Sequence, residues 1–139
     1  MVPCIHLVWG TKYRQPVLTP IFKRQVIEHI QNLAHTKGLT IHALDGHKDH
    51  LHALVENKPG QDIAWVVKTL KGGSSYWANH IANTKPKLYW ASGYYYAHVP
   101  VEAFIAVKLY IENQESHHRV RTFHDEYVEL LVSQGLKPR

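Results

Sequence analysis

The chain of 139 residues contains one cysteine, one methionine and only 11 acidic side chains. A single cysteine cannot build a disulfide framework, so we expect a reducing compartment and predict a cytoplasmic protein. No apolar run approaches the ~20 residues that a membrane helix needs, and we therefore expect no membrane partner. The N-terminus lacks a positive segment followed by an apolar stretch, so no signal peptide is expected.

Repeats, low-complexity tracts and long linkers are also missing, as is the Walker-type glycine loop that binds nucleotide phosphates. The sequence therefore predicts a single domain over residues 1–139, long enough to bury about two thirds of its unfolded surface.

Basic and aromatic side chains are abundant. Lysine and arginine number 16, the net charge is +5 with neutral histidines, and there are four Trp and eight Tyr. Such a composition is typical of proteins that bind single-stranded nucleic acid, because lysines attract phosphates and aromatic rings stack on unpaired bases.

Hydrophobic periodicity predicts the order of the elements. Apolar and aromatic residues indicate five strand-like segments, at residues 4–9, 39–44, 50–55, 88–90 and 94–99. Helical spacing occurs in four segments, at residues 20–37, 63–80, 101–115 and 127–132. We place a tight turn at Asp45-Gly46 and a kink or restart of the second helix at residues 72–75. This order predicts a ferredoxin-like (RRM-like) α+β sandwich, an antiparallel sheet with helices packed on it.

Two histidines occur two residues apart in the third of these strands. The side chains of His50 and His52 therefore share one face, which we expect to be the solvent face, while Leu51 and Ala53 point to the core. Two imidazoles on one face form half of a divalent-metal site. A half-buried strand with histidines on its wet side is the alternative interpretation.

A second pair lies on the predicted helix over residues 101–115. Tyr110 and Gln114 are four residues apart and so share a helix face. The phenol of Tyr110 can act as a nucleophile, and the amide oxygen of Gln114 suits Mg²⁺ or Mn²⁺. Alternatively, Tyr110 packs in the core and Gln114 is merely solvated.

Together, the His50–His52 strand and the Tyr110–Gln114 helix resemble the HUH nucleases, in which two histidines flank one hydrophobic residue. The chain is more closely similar to the single-tyrosine, single-strand DNA transposases (TnpA) of small bacterial insertion sequences. The resemblance also includes residues 6–18, 67–75 and 88–95 in the family's order, and it covers roughly residues 4–133.

This resemblance implies an HUH motif on a central strand, with His50, His52 and Gln114 holding Mg²⁺ or Mn²⁺ and Tyr110 as the nucleophile. Tyr110 would become joined to a 5′ phosphate and release a 3′-OH, which later attacks the phosphotyrosine to rejoin the strand. The resemblance further implies a homodimer whose composite sites combine histidines and tyrosine of different subunits. Its partner would be single-stranded DNA with hairpins at the ends of the element.

Seven residues are candidates for phosphate or base contacts, namely Lys12, Tyr13, Arg14, Lys68, Lys71, Lys85 and Lys87. For each basic residue taken alone, a merely solvated charge is the alternative interpretation. His6 is expected to face solvent or the hairpin edge. For His117 and His118, a phosphate contact and a solvated loop are both open.

Two alternative functions use the same site. The chain could be a domesticated relative acting on repeated extragenic palindromes, or a non-catalytic module that binds hairpin DNA. The intact set of His50, His52, Tyr110 and Gln114 argues against the second. A replication-initiator nuclease would be expected to carry further domains.

Overall fold

The computed structural model describes residues 3–114 of the chain. The strands are β1 (Cys4–Gly10), β2 (Ile41–His47), β3 (His50–Glu56) and β4 (Tyr95–Val99), and the helices are α1 (Pro20–Thr36), α2 (Ile63–Tyr76) and α3 (Phe104–Glu112). The strands form one antiparallel sheet in the order β2-β3-β1-β4. The predicted α+β architecture is confirmed, with the histidine strand β3 in the interior of the sheet. The predicted helix over residues 127–132, the end of the third predicted helix at residue 115, and His117 and His118 lie outside the described residues.

Helix α1 begins where the sequence predicts. Thr19 is its N-cap, with an Oγ1 that accepts a hydrogen bond from the Phe22 amide at 3.3 Å, and Pro20 occupies the first helical position. At the other end the helix ends at Thr36, Lys37 is the C-cap, and Gly38 follows with a φ of +73°. Local capping chemistry therefore determines both ends of α1.

Helices α1 and α2 cover one face of the sheet and bury the main hydrophobic core against it. From the strands this core takes Ile5, Leu7, Trp9, Leu44, Leu51, Ala53 and Val55. Antiparallel partners such as Leu7 and Ala53 point to the same face, so the alternation seen in the sequence becomes one continuous apolar layer. We call this side of the sheet the core face.

Helix α3 covers the opposite face of the same sheet, which we call the histidine face. Phe104 and Ile111 of α3 pack there with Cys4, Leu54 and Val99, all of them buried. The sheet is therefore enclosed by helices on both sides, and side chains on its histidine face are removed from water.

The predicted tight turn at Asp45-Gly46 is wrong, because both residues belong to β2 and the hairpin turns at residues 48–49. Lys23 of α1 explains the difference. Its Nζ lies 3.1 Å from the Asp45 carboxylate and donates to the Gly46 carbonyl at 3.0 Å, which ties α1 to β2. A Cβ on Gly46 would collide with the carbonyl oxygen of His50, so this glycine permits close strand approach rather than a turn.

The predicted kink at residues 72–75 is also absent, since α2 continues to Tyr76 and then widens into a π-type turn over Trp77–Ile81. A Cβ on Gly73 would collide with the side chain of Leu33. Gly73 therefore allows α1 and α2 to pack closely.

Residues 88–90 do not form the predicted strand. The Asn79 side chain donates to the Leu88 carbonyl and accepts from the Leu88 amide, both at 2.8 Å. This segment is thus held by the end of the second helix, with one isolated bridge between Trp90 and Thr11. Among residues 3–114, no helix combines the length and apolar character needed to cross a bilayer.

Candidate active site on the histidine face

Five side chains meet between the histidine face and α3, namely His6, His50, His52, Tyr110 and Gln114. In the register of β1 and β3, Val8 is opposite His52 and Leu54 is opposite His6, so the two histidines share a face with these apolar residues. His50 follows the same alternation one step along β3. Because α3 lies over this face, the imidazoles are enclosed by protein.

The expected exposure of His50 and His52 is therefore wrong, since the two side chains are only 0% and 1% exposed. Their shared face is confirmed, with ring centroids 5.1 Å apart. Strand alternation specifies which residues share a face, but the placement of α3 decides whether that face is wet.

His50 is held by the residue that precedes it. Its Nδ1 lies 2.8 Å from Oδ1 of Asp49, and the ionised carboxylate accepts a hydrogen bond from the N–H at this position. Burial lowers the pKa of His50, whereas Asp49 and the nearby Gln114 amide oppose this shift and the positive charge of Arg14 adds to it. The pKa of His50 thus lies below its ordinary value, and Nδ1 of the ring is engaged by Asp49.

His52 is held by His6, a residue for which the sequence predicted solvent exposure. His6 is 3% exposed, and its Nε2 lies 2.9 Å from Nδ1 of His52. Burial lowers the pKa of His6 to about 4, so this ring is neutral at pH 7. That expectation was wrong because His6 lies, together with Cys4 and Val8, on the face of the sheet that α3 covers. Strand alternation would have predicted His6 beside the histidines of β3 if the pairing of β1 with β3 had also been predicted.

Tyr110 of α3 lies over this pair of histidines. Its ring centroid is 5.6 Å from that of His52 and 6.1 Å from that of His6, in edge-on geometry. The structure thus brings the predicted nucleophile to the predicted metal-binding histidine within one chain.

Gln114, just beyond the end of α3, completes the group. Its side chain is fully buried, and its Nε2 donates to the Tyr110 carbonyl at 3.2 Å. Within residues 3–114, its buried Oε1 has no partner at good hydrogen-bond geometry, although it lies close enough to His50 to raise the pKa of that ring. A buried amide oxygen left in this way costs about 1–3 kcal/mol, which a bound cation would offset.

These atoms fit the metal that the resemblance implies. A neutral imidazole nitrogen and an amide oxygen are ligands that Mg²⁺ or Mn²⁺ accepts. In the described part of the chain no three His, Cys, Asp or Glu side chains cluster to hold a metal. A site here would therefore require Gln114 beside His50 and His52.

Arg14 approaches the same end of the sheet through an unusual turn. Tyr13 and Arg14 both adopt left-handed backbone conformations, with φ of +56° and +54°. The turn brings Arg14 back over Gly10, where an added Cβ would lie 2.7 Å from the arginine Nη1. An exposed cation is thereby placed close enough to affect His50 electrostatically.

Several predicted DNA-binding residues gather around two neighbouring grooves. The larger groove, of about 700 Å³, is lined by Lys12, Tyr13, Lys71 and Tyr89 among others. The smaller, of about 450 Å³, shares Lys12, Tyr13 and Tyr89 and adds Lys87. Tyr13 is 82% exposed, which is unusual for an aromatic ring and suits stacking on a base.

The predicted lysines differ in their surroundings. Lys71 donates to the carbonyls of Ala91 and Gly93 at 2.7 and 3.0 Å, and Lys87 donates to the Asn79 carbonyl at 2.9 Å. These two lysines hold loops in place. Lys68 and Lys85 are exposed and are not among the residues that line the two grooves.

Comparison with known proteins adds sequence and structural relatives. The profile of the family "Transposase IS200 like" matches residues 3–114. The ISDra2 transposase TnpA of Deinococcus radiodurans is 34% identical over 70 residues, which cover 50% of this chain and 50% of that protein. The match thus spans about half the length of this curated relative.

Two solved structures share the fold. A crystal structure assigned as a transposase from Deinococcus radiodurans R1 aligns with a TM-score of 0.62 and 29% identity, covering 80% of this chain and 89% of that one. A REP-associated tyrosine transposase bound to a REP hairpin aligns with a TM-score of 0.62 over 99% of this chain and 82% of its own. Its 17% identity supports similarity of fold alone.

Proposed function

The chain belongs to the IS200-like transposase family, and from this membership we propose that it cleaves and rejoins single-stranded DNA at the ends of an insertion sequence. The observation that supports this most directly is the enclosure of Tyr110, His52 and Gln114 between α3 and the histidine face. We assign Tyr110 as the nucleophile and His50, His52 and Gln114 as the residues that would hold Mg²⁺ or Mn²⁺.

The reaction follows from the chemistry of Tyr110. Its phenol loses its proton as the oxygen attacks the scissile phosphorus, the bond from phosphorus to the 3′ oxygen breaks, and the departing oxygen takes up a proton to become a 3′-OH. A bound divalent cation would polarise the phosphate and stabilise the charge that develops on the leaving oxygen. The energy of the broken bond is kept in the phosphotyrosine, so a 3′-OH can later rejoin the strand by attacking it.

The grooves around Lys12 and Tyr13 suit the rest of the substrate. Lysine ammonium groups attract phosphates, and the exposed ring of Tyr13 offers a surface for an unpaired base. We propose that hairpin-bearing single strands bind here, with Arg14 between the grooves and the histidines.

A homodimer with composite sites is also proposed, on the basis of the resemblance. Helix α3 supports an interface because Ile105 and Leu109, one turn apart, are 60% and 53% exposed. A mixture of Tyr110→Phe and His52→Ala chains tests this. If subunits share sites, each mixed dimer regains one intact site and we expect activity to return. If circular dichroism shows that both variants are folded, failure of the mixture would mean that the contact between His52 and Tyr110 within one chain is the working site.

The proposed chemistry is tested with single-stranded oligonucleotides that carry the flanks of the gene's own locus, labelled at both ends. After incubation with Mg²⁺ or Mn²⁺, we expect a denaturing gel to show protein joined to the DNA fragment that begins at the cut. The band should disappear with EDTA or Tyr110→Phe and persist in Tyr94→Phe, an exposed tyrosine on the β4 side of the sheet. Binding without a covalent band, across several flanks and both metals, would favour a non-catalytic hairpin-binding module.

A further inference from the structure

His6 contacts His52 but belongs to neither predicted motif. We propose that His6 is a positioning residue that keeps the imidazole proton of His52 on Nδ1, so that Nε2 carries no proton, as a ligand atom requires. The role in metal binding rests on the function proposed above, whereas the position of the proton can be tested without metal.

The His6 and His52 rings share one hydrogen bond. A neutral imidazole has one N–H and one bare nitrogen, so the bond between His6 Nε2 and His52 Nδ1 can carry its proton on either side. With the proton on His6, the bare nitrogen of neutral His52 is Nδ1, and its Nε2 carries a hydrogen that blocks a metal. With the proton on His52, Nε2 is bare. Only the second arrangement gives a site that binds a cation.

His50 also has a partner at Nδ1, and this supports the arrangement in which His52 carries its proton on Nδ1. Asp49 lies 2.8 Å from Nδ1 of His50 and, when ionised, can only accept, so that ring carries its proton on Nδ1. Both histidines of β3 therefore have Nδ1 engaged by a neighbouring side chain. A partner of this kind fixes the tautomer and orientation of a metal-binding histidine.

The position of His6 is well suited to the task because the ring has little room to move. β1 lies between β3 and β4, and the His6 ring is inclined by 26° to the His52 ring with centroids 5.2 Å apart. Tyr95 of β4 and Tyr110 of α3 contact its other sides edge-on, at 5.9 and 6.1 Å. The acceptor nitrogen is thereby held where His52 needs it.

Two substitutions separate this role from simple packing. His6→Leu fills much of the space without offering an acceptor, whereas His6→Gln can present an amide oxygen near the position of Nε2. In metal-free protein with ¹⁵N-labelled histidine, His52 is assigned by comparison with His52→Gln. We expect the NMR shifts of His52 to show a protonated Nδ1 in the wild type and in His6→Gln, and a shift toward protonated Nε2 in His6→Leu.

Binding of Mn²⁺, followed by calorimetry, provides the second measurement. We expect about 10- to 100-fold weaker binding in His6→Leu, as for other residues that orient metal-binding histidines, with substantial recovery in His6→Gln. Ile5→Val removes one methyl from the core face of the same strand, and it should change neither the tautomer nor the affinity.

The proposal is overturned if His52 carries its proton on Nε2 in the wild type, or if His6→Leu leaves the tautomer unchanged. Equal Mn²⁺ affinity in His6→Leu and the wild type would also overturn it. If the wild type binds no Mn²⁺, the proposed metal site fails, while the tautomer measurement still decides the role of His6.

Discussion

Gln114 donates its amide hydrogen to the carbonyl of Tyr110, and this bond directs the amide oxygen of Gln114 into the protein beside His50. The helix end thus positions the proposed ligand atom relative to the proposed nucleophile by a local, i to i−4 contact. An oxygen that is buried without a partner at good hydrogen-bond geometry among residues 3–114 is unfavourable in the metal-free protein.

This relationship predicts opposite effects of Gln114→Met on binding and stability. Mn²⁺ affinity should fall at least tenfold because an oxygen ligand is lost. The free energy of unfolding without metal should stay the same or rise by up to about 1 kcal/mol, since a poorly satisfied polar atom is replaced by an apolar one. Calorimetry and urea denaturation measure the two effects. Asn113→Ala, an exposed neighbour, is the control, and unchanged Mn²⁺ affinity in Gln114→Met would remove Gln114 from the site.

Substitution of His52 by alanine is expected to destabilise the fold, contrary to what solvent exposure would have implied. The change removes a buried ring and the partner of His6, so the free energy of unfolding should fall by about 2 kcal/mol or more. Urea denaturation of metal-free protein tests this, with exposed His80→Ala as the control. Equal stability of His52→Ala and the wild type would contradict the burial of the His52 side chain.

The pH dependence of stability should reflect the burial of His6. Its pKa is about 4 in the folded protein and ~6.5 when unfolded, so below pH 6.5 the unfolded chain takes up a proton that the native chain does not. Stability is therefore fully present above pH 6.5 and is lost as the pH falls toward 4, by up to about 3 kcal/mol. His50, whose pKa is also lowered, acts in the same direction. The titratable side chains whose rings contact His6 are His52, Tyr95 and Tyr110.

Urea denaturation of metal-free protein between pH 7.5 and 4.5 measures this dependence. The slope should be shallower in His6→Leu than in the wild type. Identical slopes would show that His6 is not the residue responsible.

The groove lysines lead to a prediction about salt. Lys12→Gln should weaken binding to a hairpin-bearing single strand and reduce the slope of log affinity against log salt by about 1, because one phosphate contact is lost. Lys37→Gln, at the far end of α1, is the matched control and should leave the slope unchanged. Fluorescence anisotropy at several salt concentrations measures both. The same slope for Lys12→Gln and the wild type would place the DNA elsewhere.

Sequence periodicity predicted β1, α1, β3, α2 and β4 because each has a strong local signal, such as the Thr19-Pro20 cap of α1. The misplaced features depend on contacts between distant residues. Gly46 and Gly73 were expected in a turn and a kink, but they serve close packing of strands and helices. The tie between Asn79 and Leu88 is likewise invisible in a local pattern.

In the candidate site too, local spacing predicted some features, while others depend on contacts between distant residues. The i, i+2 and i, i+4 spacings correctly grouped His50 with His52 and Tyr110 with Gln114 on shared faces. Neither spacing could indicate that α3 would cover the histidines, since that depends on the apolar contacts of Phe104 and Ile111. His6 was missed for this reason: its importance arises only from strand pairing with β3.

The main apolar core lies on one face of the sheet, and the candidate site lies on the other face beside a smaller apolar cluster. Substitutions in the two separate clusters should have nearly additive effects on stability. Evolution or protein engineering can therefore change residues on one face of this sheet with little effect on the stability that the other face contributes. The fold is, in this sense, a tolerant scaffold for changing the chemistry or the substrate of its site.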